Sequence, residues 1–135
     1  MKRKNTRQKI LDTALGLFAK KGYDAVSVDE IAKAVGIKAP SIYNYFGGKQ
    51  EIFDAIVETT ADRYTYYTDK FDIHVEGAAK DLPQFKTISE QSLYEKVKQI
   101  FEYSLHDEQI RDFRKMMTIE QFRSDSFGEL YTKRF

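Results

Sequence analysis

The chain predicts an all-α protein: a three-helix helix-turn-helix head joined through a long fourth helix to a partial helical-bundle body. Three observations carry that expectation. Apolar residues recur at helical spacing from Ile10 to Leu105. Residue types that cap helices stand in front of these runs, and Gly22 and Gly36 stand behind the first two. Between Ser27 and Phe46, two short helical patterns are separated by little more than a glycine turn.

Met1 to Thr6 carries Lys2, Arg3 and Lys4 with no apolar residue after Met1, which reads as a basic arm rather than a signal peptide. Thr6 is expected to cap a first helix with an apolar stripe of Ile10, Leu11, Ala14, Leu17 and Phe18. That helix ends at Lys20, Lys21 and Gly22. Ser27 with Glu30 three residues on forms a capping box for the second helix, whose Val28, Ile31, Ala32 and Val35 make one buried face. Gly36 takes the positive φ of a sharp turn. Pro40 then sits in the first turn of a third helix, where a missing N–H costs nothing. Ile42 and Phe46 pack inward from it, while Lys38, Ser41 and Tyr45 face outward.

Beyond Lys49, Ile52, Phe53, Ile56, Val57 and Tyr64 are spaced for one long helix to about Asp69. Phe71 to Ser89, with Gly77 and Pro83, reads as a long loop. Ser92 and Glu95 are expected to form a second capping box for a helix carrying Leu93, Val97, Ile100, Phe101 and Leu105. Asp107 caps another, with Ile110, Phe113, Met116 and Met117 on one face. Ser124 to Ser126 reads as a break, with a further helical pattern from Phe127 still running at Phe135.

Taken together, Ile10 to Ala55 resembles the amino-terminal domain of the TetR family of bacterial repressors. The resemblance rests on the run from Ala14 to Ala32, the Gly36 turn, and the run from Ile42 to Phe53. It implies a DNA-binding domain over residues 4–64, with its helix-turn-helix motif at about 27–46. Residues 65–135 would then be an incomplete helical domain for effector binding and dimerisation. Implied partners are a double-stranded DNA operator, a small-molecule effector and a second copy of the complete protein. Residues beyond Phe135 are expected to supply helices that pair across the dimer axis, leaving Phe113, Met117, Phe122, Tyr131 and Phe135 as an exposed apolar patch. Gly47-Gly48, where the family often has a polar pair, suggests a looser entry into the long helix.

Charge divides along the same boundary. Up to Lys49 there are ten Lys and Arg against four Asp and Glu, and after it twelve against seventeen. Such a split suits a protein that meets phosphates at one end. The expected DNA contacts are Ser27, Lys38, Ala39, Ser41, Tyr43, Asn44, Tyr45 and Lys49. By the resemblance, Tyr43 and Lys49 touch the sugar-phosphate backbone, and Lys38, Ala39, Ser41 and Tyr45 lie at base edges or nearby phosphates. Ser27 is foremost a helix cap.

The body's aromatics and methionines, at helical spacing, are core residues first. Tyr64, Tyr67, Phe101, Phe113 and Met117 are the candidate lining of an apolar effector pocket. Zero cysteines exclude disulfides and thiolate metal sites, and no stretch is long enough to span a membrane. His106 with Glu102 one turn before it makes too few ligands for a metal, and His74 lacks even that. No cofactor is expected, a bacterial cytoplasm is the expected compartment, and no motif points to an enzyme. The reading is a sequence-specific DNA-binding transcriptional regulator, a repressor released by ligand. Its competitors are an architectural DNA binder without effector and a helical protein-interaction module.

Overall fold

Local chemistry starts and stops each helix in the computed structural model, which describes residues 5–70 and 86–122. Asn5 caps α1 (Thr6–Lys21), its side chain accepting the Gln8 N–H at 2.7 Å. Thr6 is of a capping type too, but the helix begins one residue earlier than expected and makes Thr6 its first member. Gly22 ends α1 at φ 85°, donating its N–H to the Phe18 carbonyl. In α2 (Val28–Val35), Ser27 Oγ accepts the Glu30 N–H at 3.1 Å, which is half of the expected capping box. The other half is replaced: Glu30 turns its carboxyl to Lys21 in an ion pair that ties α2 to the end of α1.

Gly36, at φ 89° and ψ 27°, is the left-handed residue that closes α2. Its own N–H and that of Ile37 both bond to the Ala32 carbonyl at 3.0 Å. α3 (Ala39–Ile42) is a single turn of helix, shorter than the spacing from Ile42 to Phe46 suggested. The chain keeps turning past it, with Tyr45 N–H and Phe46 N–H both bonded to the Ile42 carbonyl. That tight turn still brings Phe46 inward beside Ile42.

α4 (Lys49–Lys70) is the expected long helix. Its entry is tied rather than loose, because Glu51 in the first turn reaches back to accept the Gly47 N–H at 2.5 Å. α5 (Glu90–His106) begins one turn earlier than expected. Ser89, not Ser92, is its cap, accepting the Ser92 N–H, and Glu95 instead accepts from Gln91. Asp107 caps α6 (Glu108–Gln121) as expected, accepting the Ile110 N–H at 3.0 Å. Regular structure among the described residues is wholly helical. The basic arm before Asn5, the loop over residues 71–85 and the pattern after Phe122 lie outside the described residues.

One apolar core runs through head and body. α1 contributes Ile10, Leu11, Ala14, Leu15 and Phe18, α2 Ile31 and Ala32, and Ile42 and Phe46 come from α3 and its exit. α4 adds Ile52, Phe53, Ile56 and Val57, and α6 adds Phe113, Met116 and Met117. Fully burying such a side chain contributes about 1.5–3 kcal/mol, so this cluster is the dominant source of stability. Phe113 and Met117 are 1% and 2% exposed, which corrects their place in the expected exposed patch: α6 lies on α1 and covers them. Phe122 of that patch is exposed as expected, and among the described residues of the body Tyr66 of α4 and Leu93, Tyr94, Val97, Phe101 and Leu105 of α5 are exposed with it.

Polar bonds fix α6 on α1. Gln109 donates to Asp12 at 2.9 Å, and Glu120 accepts the Tyr23 N–H at 2.8 Å. Both bonds join residues 97 apart in sequence, so the two helices run parallel and in register over about three turns. Arg63 of α4 closes the other side, donating to Asp107 Oδ2 at 2.5 Å and Gln109 Oε1 at 2.6 Å. Burial alone would raise the Asp107 carboxyl, but the Ile110 amide and the Arg63 guanidinium outweigh it and hold it below its ordinary range.

Candidate nucleic-acid interface

The segment from Lys38 to Phe46 alternates anchors with projections. Ile42 is wholly buried and Phe46 is 4% exposed, so two apolar side chains pin a single turn to the core. Between and beside them, Lys38, Tyr43, Asn44 and Tyr45 are exposed, Tyr43 and Tyr45 at 57% and 43%. Ser41 and Ala39 are half-buried, with Ala39 packed on the core, so Ala39 is placed as a close-approach surface more than a projecting contact. Lys38 precedes α3 as its cap residue and makes no side-chain capping bond there. Exposed phenols and amides held by rigid neighbours are what hydrogen bonding to phosphates and base edges requires.

Two residues modify the expected set. Ser27 is exposed, but its hydroxyl is engaged by the Glu30 amide. Lys49 does not stand free at the start of α4: its ammonium donates to the Tyr23 carbonyl at 2.8 Å and lies 4.1 Å from the Tyr23 ring centroid. One of its three donors is therefore used internally, and two remain. A cation on this face that periodicity did not single out is Arg7, whose guanidinium lies 5.1 Å from the ring centroid of Phe46. Its only signal in the sequence was its place beside the basic amino-terminal run.

The five effector-pocket candidates have different surroundings among the described residues. Phe113 and Met117 are core residues beneath α1, and Tyr67 stacks on Tyr103 with ring centroids 3.4 Å apart. Tyr64 is half-buried on α4. Phe101 borders an open apolar hollow of about 370 Å³ lined by Val97, Ile100, Phe101, Ser104, Leu105 and Arg114. The five share helical spacing but point to different neighbours. His106 bonds through Nδ1 to the Glu102 carbonyl at 2.7 Å, a local contact. Among the described residues no group of acidic and histidine side chains could hold a metal ion, and no helix is long and apolar enough to cross a membrane.

A glycine-turned helix pair with a buried pivot and an exposed polar tip defines a helix-turn-helix protein. In the amino-terminal part of the chain, residues 10–56 match the model of bacterial regulatory proteins, tetR family. The segment is similar to the biofilm operon icaADBC HTH-type negative transcriptional regulator IcaR of Staphylococcus epidermidis, 40% identical over 63 residues. That match covers 47% of this chain and 32% of the relative. IcaR of Staphylococcus aureus strain Newman is 43% identical over 56 residues, covering 42% of this chain and 30% of the relative. The chain thus spans about a third of the length of the curated relatives it matches. The solved structure of Salmonella enterica GusR superposes with a TM-score of 0.65 at 22% identity. It covers 96% of this chain and 59% of GusR, a likeness of fold extending past the head into the body.

Proposed function

We propose that this chain is the operator-reading part of a sequence-specific DNA-binding transcriptional regulator, acting as a repressor, with residues 4–64 as the DNA-binding domain. The observation that carries the reading is the set Lys38, Tyr43, Asn44 and Tyr45, exposed and polar on a turn whose Ile42 is wholly buried. Lys38, Ser41 and Tyr45 meet base edges and nearby phosphates, while Tyr43, Asn44 and Arg7 hold the sugar-phosphate backbone. Lys49 adds a phosphate contact with the donors that Tyr23 leaves. The similarity to negative regulators supports repression as the sign of the output.

In the whole protein, two such heads in a homodimer would sit about 34–36 Å apart to enter successive major grooves. A small-molecule effector binding the body would release the operator by shifting that spacing through α4. The apolar hollow on α5 is the surface from which such a site would be built. Selection of bound duplexes from a random pool tests the reading. The 135-residue chain is expected to enrich a short consensus. Ser41→Ala is expected to relax one position of it by about 1–3 kcal/mol of discrimination. A pool that stays random after selection would contradict sequence reading and favour an architectural binder.

A further inference from the structure

Tyr23 joins three parts of the molecule through one residue. Its N–H donates to Glu120 at 2.8 Å, its carbonyl accepts Lys49 at 2.8 Å, and its hydroxyl meets Gln50 at 3.2 Å. Its ring packs against Phe18 of α1 and Phe53 of α4, with centroids 5.5 and 5.4 Å away. Glu120 is the only one of these partners that belongs to α6, and it is fully buried, so the contact is a fixed feature of the interior. The other polar tie between α6 and α1, Gln109 to Asp12, reaches the middle of α1, and Gln109 also accepts from Arg63, fourteen residues along α4 from Lys49. The two ties of α6 are therefore unequal: one holds α1 and the distant Arg63 turn of α4, and the other sets the joint from which α2 departs and on which α4 starts.

From this geometry we propose that Glu120 is a positioning residue for the DNA-reading tip, acting through Tyr23. This rests on the proposed function for its readout in DNA binding. Holding the Tyr23 amide from α6 sets the position of its carbonyl, and with it the Lys49 end of α4, two residues from Gly47 and three from Phe46. A movement of α6 along α1 has to break this tie or carry the joint with it. Packed interfaces respond to such movements in discrete steps, which makes the joint the place where the body's state is felt by the head.

The test compares Glu120→Leu and Glu120→Gln with Gln109→Leu, all in the 135-residue chain. Three readouts are taken: thermal midpoint, amide chemical shifts, and affinity for the selected duplex. Glu120→Leu is expected to lose Tyr23 amide protection and to shift the amides of Lys49 and of Ser41 to Tyr45. Its affinity should fall about tenfold, which corresponds to about 1.4 kcal/mol. Glu120→Gln, which keeps an acceptor at the same reach, should restore all three. Gln109→Leu should lower the thermal midpoint yet leave the tip amides and the affinity within about twofold. If Glu120→Leu does not fold, Glu120→Asp withdraws the carboxyl by about one bond length, ~1.5 Å, and should show the same shifts. Unmoved tip amides in a folded Glu120 variant, or equal tip shifts in Gln109→Leu, would overturn the proposal. Absence of DNA binding by the unaltered chain would instead sink the proposed function, and the amide shifts would still decide the role of Glu120.

Discussion

Phe53 and Phe101 are the same side chain in two settings, each on an apolar stripe of a helix at the expected spacing. Phe53 is fully buried among Phe18, Tyr23 and the rest of the head core, and Phe101 is 63% exposed on α5. α5 has no buried residue along its length, whereas α1 buries five. Periodicity states that a helix has an apolar face, and it is silent about what covers that face. The head's faces are covered by its own α1, α2 and α4 and, from the body, by α6. The apolar face of α5 is left open among the described residues.

The largest test of that contrast is truncation of the two phenylalanines. Phe53→Ala is expected to cost about 3–5 kcal/mol of unfolding free energy, against about 0.5 kcal/mol or less for Phe101→Ala, by urea denaturation. Ile42→Ala should fall near Phe53→Ala, at about 2–5 kcal/mol, because its site is as closed. A comparable loss from Phe101→Ala would mean that α5 is covered after all.

The caps sharpen the contrast at a smaller scale. Ser27→Ala removes the acceptor for Glu30 N–H at the start of a helix packed into the core, and about 1 kcal/mol should be lost from global unfolding. Ser89→Ala removes the equivalent bond at α5, and the expected result is local fraying, seen as faster amide exchange over Glu90 to Leu93 with an unmoved urea midpoint. A joint shift of both midpoints would show that α5 unfolds with the head.

A weaker effect comes from the polar link between α4 and α6. The Asp107 carboxyl lies below its ordinary value in the fold, despite burial, because of the Ile110 amide and Arg63. Its contribution is therefore present above the ordinary carboxylate range and is lost as pH falls through the lower folded value. Asp107→Asn should flatten the stability profile below about pH 4. An unchanged acid limb in that variant would remove Asp107 from the account.

Most of the head was legible in the sequence because its determinants are local. Ser27 accepts from a residue three positions away, Gly36 closes α2 in its own turn, and Ile42 and Phe46 lie four apart. Asn5 and Thr6, or Ser89 and Ser92, are adjacent or one-turn alternatives of equal chemistry, so residue type could not choose between them. The engagement of Lys49 by Tyr23 and of Glu120 by Tyr23 spans 26 and 97 residues, and no spacing rule connects such pairs. For the same reason, shared periodicity did not say which neighbours each of the five pocket candidates would meet.

The central claim is that the exposed tip over the buried Ile42 reads DNA sequence. Titrating the 135-residue chain against its selected duplex and a scrambled duplex, at two salt concentrations, tests it most directly. The expected result is about a thousandfold preference for the selected duplex, with both affinities falling as salt rises. Equal affinity for the two duplexes, or no binding to either at low salt, would contradict the account.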